Sequence, residues 1–426
     1  MTYKKILQNS AVSRKISRMN NFAIIAEYNP FHDGHAYQIA QIRKKFEGAK
    51  IISVMSGSFT QRGTPSLLDK WTKAKLAIDG GCDLVIELPF TSAVRSAQYF
   101  ARGAIGLIEK LGIVNAISFG AEISDLNLIR HAAKLFDDKN FSAQIKSEMS
   151  SGISYAAAVT KTLSTALNVE EKIFRKPNTI LAVEYLRALP KSIQPILIER
   201  AGADYNDVTL TEKFSSAAAI RQAVYEDNPN WQKISQVVNE STLNELQAAK
   251  SSGLVDESFL FRPLVTKILT TAPSNLREIY GMREGLEYRL INAAKSAKNF
   301  DELVNAVTER RYPISRVKRL FLYTLMNLTE KKLAELEGGD FVRVLAFNDD
   351  GRKLLKKIRQ SSKLPIVTKV AKHLNEREIF DENILPYKKN LAVDVLATDL
   401  RGILFEEPHL PRQDFLKTAI VSKFRH

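Results

Sequence analysis

Cysteine is almost absent: Cys82 is the only one in 426 residues. That excludes an internal disulfide, and its place between a glycine pair and an apolar run reads as a small core residue. Six histidines beside that one cysteine make no structural zinc pattern, so no protein-held metal is expected. Long apolar runs are missing too. None approaches the roughly 20 residues that span a bilayer, and the start of the chain is basic and polar without the apolar stretch of a signal peptide. Neither a membrane anchor nor export is expected, and a reducing cytoplasm fits. Internal repeats and low-complexity segments are also lacking. Acidic side chains are the scarcer charge, 47 against 62 Lys and Arg, for a formal charge of +15. An excess of that size points to an anionic partner, nucleic acid first.

The remainder is ordinary globular composition, 45% hydrophobic and 26% charged, long enough for roughly two to three domains. Residues 1–18 read as a loose basic extension, with Met19 as a second candidate for the initiating methionine. Residues 19–230 alternate in kind. Short apolar runs at Phe22–Ala26, Ile51–Met55, Leu84–Leu88, Ala116–Phe119 and Ile193–Ile198 predict strands. Between them lie helical patterns over Ala36–Phe46, Leu67–Ile78, a run capped by Ser92 and ending at Leu111, and Asn178–Leu189. Strand returning after helix requires crossovers, hence an α/β fold with a Rossmann-like parallel sheet, helices on both faces and ligands at the carboxyl ends of the strands. Residues 231–426 have longer amphipathic segments and predict a mostly helical, basic domain. Two basic groups stand there. Arg310, Arg311, Arg316, Lys318 and Arg319 surround Tyr312, and Arg352, Lys353, Lys356, Lys357 and Arg359 follow later; both suit phosphate-backbone contacts.

The chemistry concentrates in EYNPFHDGH, Glu27 to His35, between the first strand and the first helix. Asn29, Pro30 and Gly34 are turn residues, and His32 and His35 stand three apart where the chain enters a helix whose free N–H groups would point outward. Unpaired donors, the helix dipole and two imidazoles make an anion site, able to donate to phosphate oxygens as their charge grows. Further along, Ser215 or Ser216 can cap the helix of FSSAAAIRQAV, placing Arg221 one turn in, within reach of a phosphate at the helix start.

The strand–HxGH–helix context resembles the HIGH-type nucleotidyltransferase superfamily. EYNPFHDGH, MSGSFTQRGTPSLLDKWTKAKLA, GCDLVIELPF, AQYFARGA, SFGAE, KPNTILAVEYL and SSAAAIR, in this order, resemble the tRNA(Met) cytidine acetate ligase family, with RRYPISRVKRL and FVRVLAFNDDGRKLL extending the likeness into the second half. The resemblance implies an enzyme that activates acetate with ATP to acetyl-adenylate and acetylates the N4 amine of the wobble cytidine of elongator tRNA(Met), giving N4-acetylcytidine. It implies ATP, accompanied by Mg2+ with no protein ligand assigned, as the nucleotide substrate, and no obligate protein partner. The catalytic residues would be His32 and His35. The ATP contacts would fall on Ile25, Ala26, Glu27, Tyr28, Asn29, Pro30, Phe31, His32, Asp33, Gly34, His35, Ala36, Tyr37 and Gln38, then Gly120, Asn178, Arg200, Ala201 and Arg221. Gly120 would let backbone approach the adenosine, Asn178 offers an amide, and Arg200 a fixed positive charge. RNA contacts are expected at Arg62, Arg311, Arg316, Lys318 and Arg319, on the Gln61–Arg62 loop and the helical half.

Three positions depart from the family pattern. Asp33 replaces the usual Asn and adds negative charge beside the phosphates unless it points away; Ser58 replaces a residue that is commonly large or polar; and the SxTxIR motif of related nucleotidyltransferases runs here from Ser216 to Arg221 with its threonine hydroxyl lost at Ala218. Two other functions fit parts of the pattern: an adenylyltransferase for a small phosphorylated substrate, which needs no basic half, and an RNA-binding protein with a vestigial ATP site.

Overall fold

The computed structural model describes residues 19–199, 215–283, 285–337 and 341–422. The basic extension of residues 1–18, with Arg200 and Ala201, lies outside the described residues. Five strands alternate with helices as the sequence predicts: β1 (Asn21–Ala26), α1 (Asp33–Lys45), β2 (Lys50–Ser56), α2 (Lys70–Asp79), β3 (Leu84–Leu88), α3 (Ala97–Lys110), β4 (Ala116–Ala121), α4 (Pro177–Ala188), β5 (Gln194–Glu199) and α5 (Ala217–Tyr225). They pair in parallel in the order β5-β4-β1-β2-β3.

Alternate residues of each strand feed opposite faces. Ala23, Ile52, Val54, Ile86 and Ile117 pack with Phe100, Ile105 and Val183 of α3 and α4, whereas Phe22, Ile24, Ile51, Met55 and Val85 pack with Ile39, Leu76 and Ile220 of α1, α2 and α5. Both faces are covered, which is why the strands read as continuous apolar runs.

Two expectations need correction. Ser92 does not cap the long helix: it lies within a single helical turn, Phe90–Ala93, and Ser96 occupies the N-cap of α3. The second half is mostly helical, with α6 (Ile314–Leu325) carrying the apolar face of Val317 and Phe321, but VRVLAF is a strand. This β6 (Val342–Phe347) pairs antiparallel with β3, so the sheet is mixed rather than wholly parallel. It is followed by α7 (Asp349–Ser361), β7 (Ile366–Val367), α8 (Pro386–Gly402) and β8 (Ile420–Val421), and both β7 and β8 pair with β6.

Buried charges fasten β6 to β3 and α2. Lys70 Nζ lies 3.0 Å from Glu87 of β3 and 2.9 Å from Asp414, while Arg343 of β6 reaches Asp414 at 3.3 Å. Removing one partner would strand the others without water, so the cluster holds the two halves in a fixed relation. No described helix is long and apolar enough to cross a membrane.

Candidate active site

Each helix that follows a parallel strand starts at the sheet's carboxyl edge, so several helix starts face one cleft of about 1630 Å³. His32 and Gly34 of α1, Ala97 of α3, Asn178 of α4 and Ser216 and Ala217 of α5 line it. Two of these helix starts are already satisfied by the protein. Glu122 places its carboxylate over α4, accepting from Asn178 N and Nδ2 at 3.3 and 2.8 Å and from Thr179 N and Oγ1 at 2.8 and 2.9 Å.

At α1 the free amides expected from the sequence are all engaged. Asp33 N donates to Val237 O at 3.0 Å, Gly34 N to His32 Nδ1 at 3.1 Å, and His35 N and Ala36 N to His32 O at 2.8 and 3.3 Å. The capping histidine and Val237 thereby take up the backbone donors that the anion site expected from the sequence would have used. What it presents instead is imidazole. His32 N donates to His35 Nδ1 at 3.2 Å, so both rings spend Nδ1 as acceptor and, when neutral, carry their proton on Nε2. The rings lie 3.8 Å apart, tilted by 30°, and both line the cleft. Gly34 is required by this arrangement, because a Cβ there would sit 2.8 Å from His32 Cε1.

The surrounding shell fixes the turn. Phe31 is buried and packs at 5.4 Å from His35 and 5.0 Å from Tyr28, whose backbone takes a φ of 45°. Arg221 of α5 donates from Nη1 to Asn29 O at 2.6 Å, binding the turn rather than only its own helix start, and Ser216 is the residue that caps α5, accepting from Ala219 N at 3.0 Å. Gln38 donates to Ser118 Oγ at 3.1 Å, tying α1 to β4. Lys73 is fully buried under Glu27. Its ammonium reaches Glu27 O, Ser56 O, Gly57 O and Ser66 Oγ at 2.8 to 3.1 Å, yet burial pulls its pKa down to about 7. Cys82 is buried as expected, and burial pushes its thiol up to about 12, which leaves it inert.

Most of the sequence-derived candidates meet on this wall. Ile25, Ala26, Glu27, Tyr28, Asn29, His32, Gly34, His35, Tyr37, Gln38, Gly120, Asn178 and Arg221 all line the cleft. Pro30, Phe31, Asp33 and Ala36 are not among its lining residues. Asp33, whose carboxyl is raised by partial burial, is thus off the wall where its charge would have met phosphate. The cleft continues past the imidazoles to Arg62, Arg310, Arg311, Arg316, Lys318 and Arg319. Loop Gly57–Ser66 makes that continuation: Gly63 has a φ of +80°, a Cβ there would come within 2.7 Å of Arg319 N, and Arg319 donates to Gln61 O at 3.1 Å. The second basic group lies elsewhere. It is on α7, whose Asn348 cap bonds Asp83 ahead of β3, whose Asp350 pairs with Lys50 at the start of β2, and whose Ser361 bonds Leu111 O ahead of β4. It therefore crosses the amino edge of the sheet, opposite the cleft.

Sequence reasoning missed Glu122 and Lys73. Glu122 closes the SFGAE motif and was overshadowed by Gly120; Lys73 differs in no local way from the exposed Lys75, and only the fold reveals its burial. Among the described residues no group of three or more His, Cys, Asp or Glu would hold a metal ion.

A HIGH nucleotidyl transferase family model matches residues 19–414. The tRNA(Met) cytidine acetate ligase of Halothermothrix orenii is 34% identical over 93% of this chain and 98% of its own length, and that of Acetivibrio thermocellus is 34% identical over 95% and 100%. Among solved structures, Thermotoga maritima TmcAL superposes with a TM-score of 0.85 in its apo form and 0.84 bound with alpha-thio ATP, at 26% identity, covering 95% of this chain and 100% of that one. The chain belongs to the tRNA(Met) cytidine acetate ligase family of HIGH nucleotidyl transferases.

Proposed function

We infer that this protein is an ATP-dependent ligase that activates acetate as acetyl-adenylate and transfers the acetyl group to the N4 amine of the wobble cytidine of elongator tRNA(Met). The observation that carries the reading is the continuity of one cleft wall. It runs from two imidazoles whose Nε2 edges suit phosphate oxygens to a group of arginines suited to an RNA backbone.

In the first step an acetate oxygen attacks the α-phosphorus, the bond to the β-phosphate oxygen breaks, and pyrophosphate leaves. His32 and His35 donate to phosphate oxygens whose charge increases along the way. Arg221 acts through the turn it holds at Asn29, and Arg200, outside the described residues, is assigned to the phosphates on the resemblance. Mg2+ carried in on ATP would neutralise phosphate charge in this step, and no protein ligand is assigned to it. In the second step the cytidine amine attacks the acetyl carbon, AMP leaves, and the amine loses a proton. ATP chemistry is thus assigned to residues 19–230 and RNA contacts to Arg62 and the basic start of α6, although β6 from the second half completes the sheet. A tRNA substrate and a single buried cysteine suit a cytoplasmic setting, and the scheme needs no protein partner.

Purified protein incubated with labelled acetate and ATP, with and without elongator tRNA(Met), is expected to give acetyl-adenylate in both cases and labelled N4-acetylcytidine only with tRNA. Adenylate without labelled RNA would remove the RNA acceptor. AMP joined to a phosphorylated small molecule, with no acetate dependence, would favour the adenylyltransferase reading.

A further inference from the structure

Beyond the imidazoles the cleft wall carries an assembly to which the adenylate step proposed above assigns no role. Arg95, 4% exposed, has its guanidinium carbon 4.0 Å from the ring centroid of Tyr99 and 4.4 Å from that of Tyr280, and its Nη2 donates to Tyr280 Oη at 2.9 Å. Tyr280 in turn meets Tyr323 edge-on at 5.4 Å, and the Tyr323 hydroxyl bonds Val94 O. A buried cation thus grips two tyrosines at once, one at the start of α3 and one from the helical half. Both rings are partly buried, and both line the cleft alongside Arg316 and Arg319.

We propose that Tyr99 and Tyr280 form a stacking site for an unpaired base of the RNA substrate. A tyrosine ring fixed in place loses little entropy when a base stacks on it, and guanidinium groups beside it can hold the phosphates on either side of that base. Such a site is tolerant of base identity, because every base has a π face, and it selects single-stranded over paired RNA. A loop base that stacks here leaves its own stack, which is what a neighbouring cytidine needs in order to reach the adenylate end of the cleft. This site rests on the reading of the protein as an RNA acetylating enzyme.

The test uses the full chain and a methionine anticodon stem-loop carrying 2-aminopurine in the loop. Three readouts are compared for wild type, Tyr99→Leu and Tyr99→Phe: acetate-dependent exchange of pyrophosphate into ATP, stem-loop affinity, and quenching of the 2-aminopurine on binding. The expected result is exchange within about twofold of wild type for both variants. Tyr99→Leu should bind the stem-loop roughly five- to a hundredfold more weakly, as expected for the loss of one base–aromatic stack, with the quenching lost and Tyr99→Phe restoring both. Unchanged affinity in Tyr99→Leu overturns the site, as does a parallel fall of exchange and affinity, which would make Tyr99 a structural support. If the wild type forms adenylate yet neither binds nor acetylates the RNA, the functional reading itself fails, and the site fails with it.

Discussion

His35 donates nothing through Nδ1, which accepts from the amide of His32, so the catalytic role proposed for it reduces to one edge of one ring. Removing a single preorganised donor from a site of developing negative charge typically raises the barrier by about 3 to 4 kcal/mol. His35→Ala is therefore expected to slow acetate-dependent pyrophosphate exchange by roughly a hundred- to a thousandfold. Urea unfolding should separate this from the lost cap contact, which would cost about 1 kcal/mol of stability. Near-normal exchange would mean that the imidazole pair only shapes the turn. The identity of these two residues was legible from HxGH. Their orientation was not, because which ring nitrogen is consumed depends on two hydrogen bonds within the four residues His32 to His35 that sequence spacing leaves free.

At the level of elements, the parallel half of the sheet was readable because each strand is an apolar run closed by a turn signal, and those boundaries lie within about two residues of the observed ones. β6 was not readable from the same signal, because it stands alone among helical patterns rather than in an alternating series. VRVLAF is a short apolar run, which periodicity cannot divide between strand and buried helix, and its partner β3 is remote in sequence. Lys73 shows the same limit, since it joins three elements that meet only in the fold: the end of β1, the loop after β2, and α2. Its pKa of about 7 in the folded chain lies below the unfolded value of about 10.4. Between these values the unfolded state binds more protons, so this group's contribution to stability rises with pH through that window, by about 1 kcal/mol per pH unit. Lys73→Met should lack that rise and should also be less stable at pH 7 by about 1 to 3 kcal/mol, for carbonyls left without a donor. Urea unfolding of both proteins at pH 7 and pH 9 measures both effects; equal pH slopes would show that Lys73 stays charged.

Two basic groups among the described residues differ in geometry, which distinguishes the proposed RNA surface from a solvated one. Arg310 and Arg311 stand at the mouth of the cleft, whereas Lys353, Lys356 and Lys357 are exposed on α7 across the amino edge of the sheet. Composition treats the two groups alike; only the fold assigns them to opposite ends. Each cation that neutralises a phosphate of a single-stranded segment contributes about −0.7 to the slope of log affinity against log salt. Replacing Arg310 and Arg311 with Gln should therefore flatten the slope for the anticodon stem-loop by about 1 to 1.5 and weaken binding at low salt. The triple Gln variant on α7 should leave the slope unchanged, because an RNA held in the cleft for acyl transfer presents its loop to the carboxyl edge. With intact tRNA the α7 variant provides a second comparison. A flattened slope there, with none for the stem-loop, would mean that the tRNA body wraps the sheet from the cleft to the opposite edge, and a flattened slope for the stem-loop itself would move the RNA out of the cleft altogether.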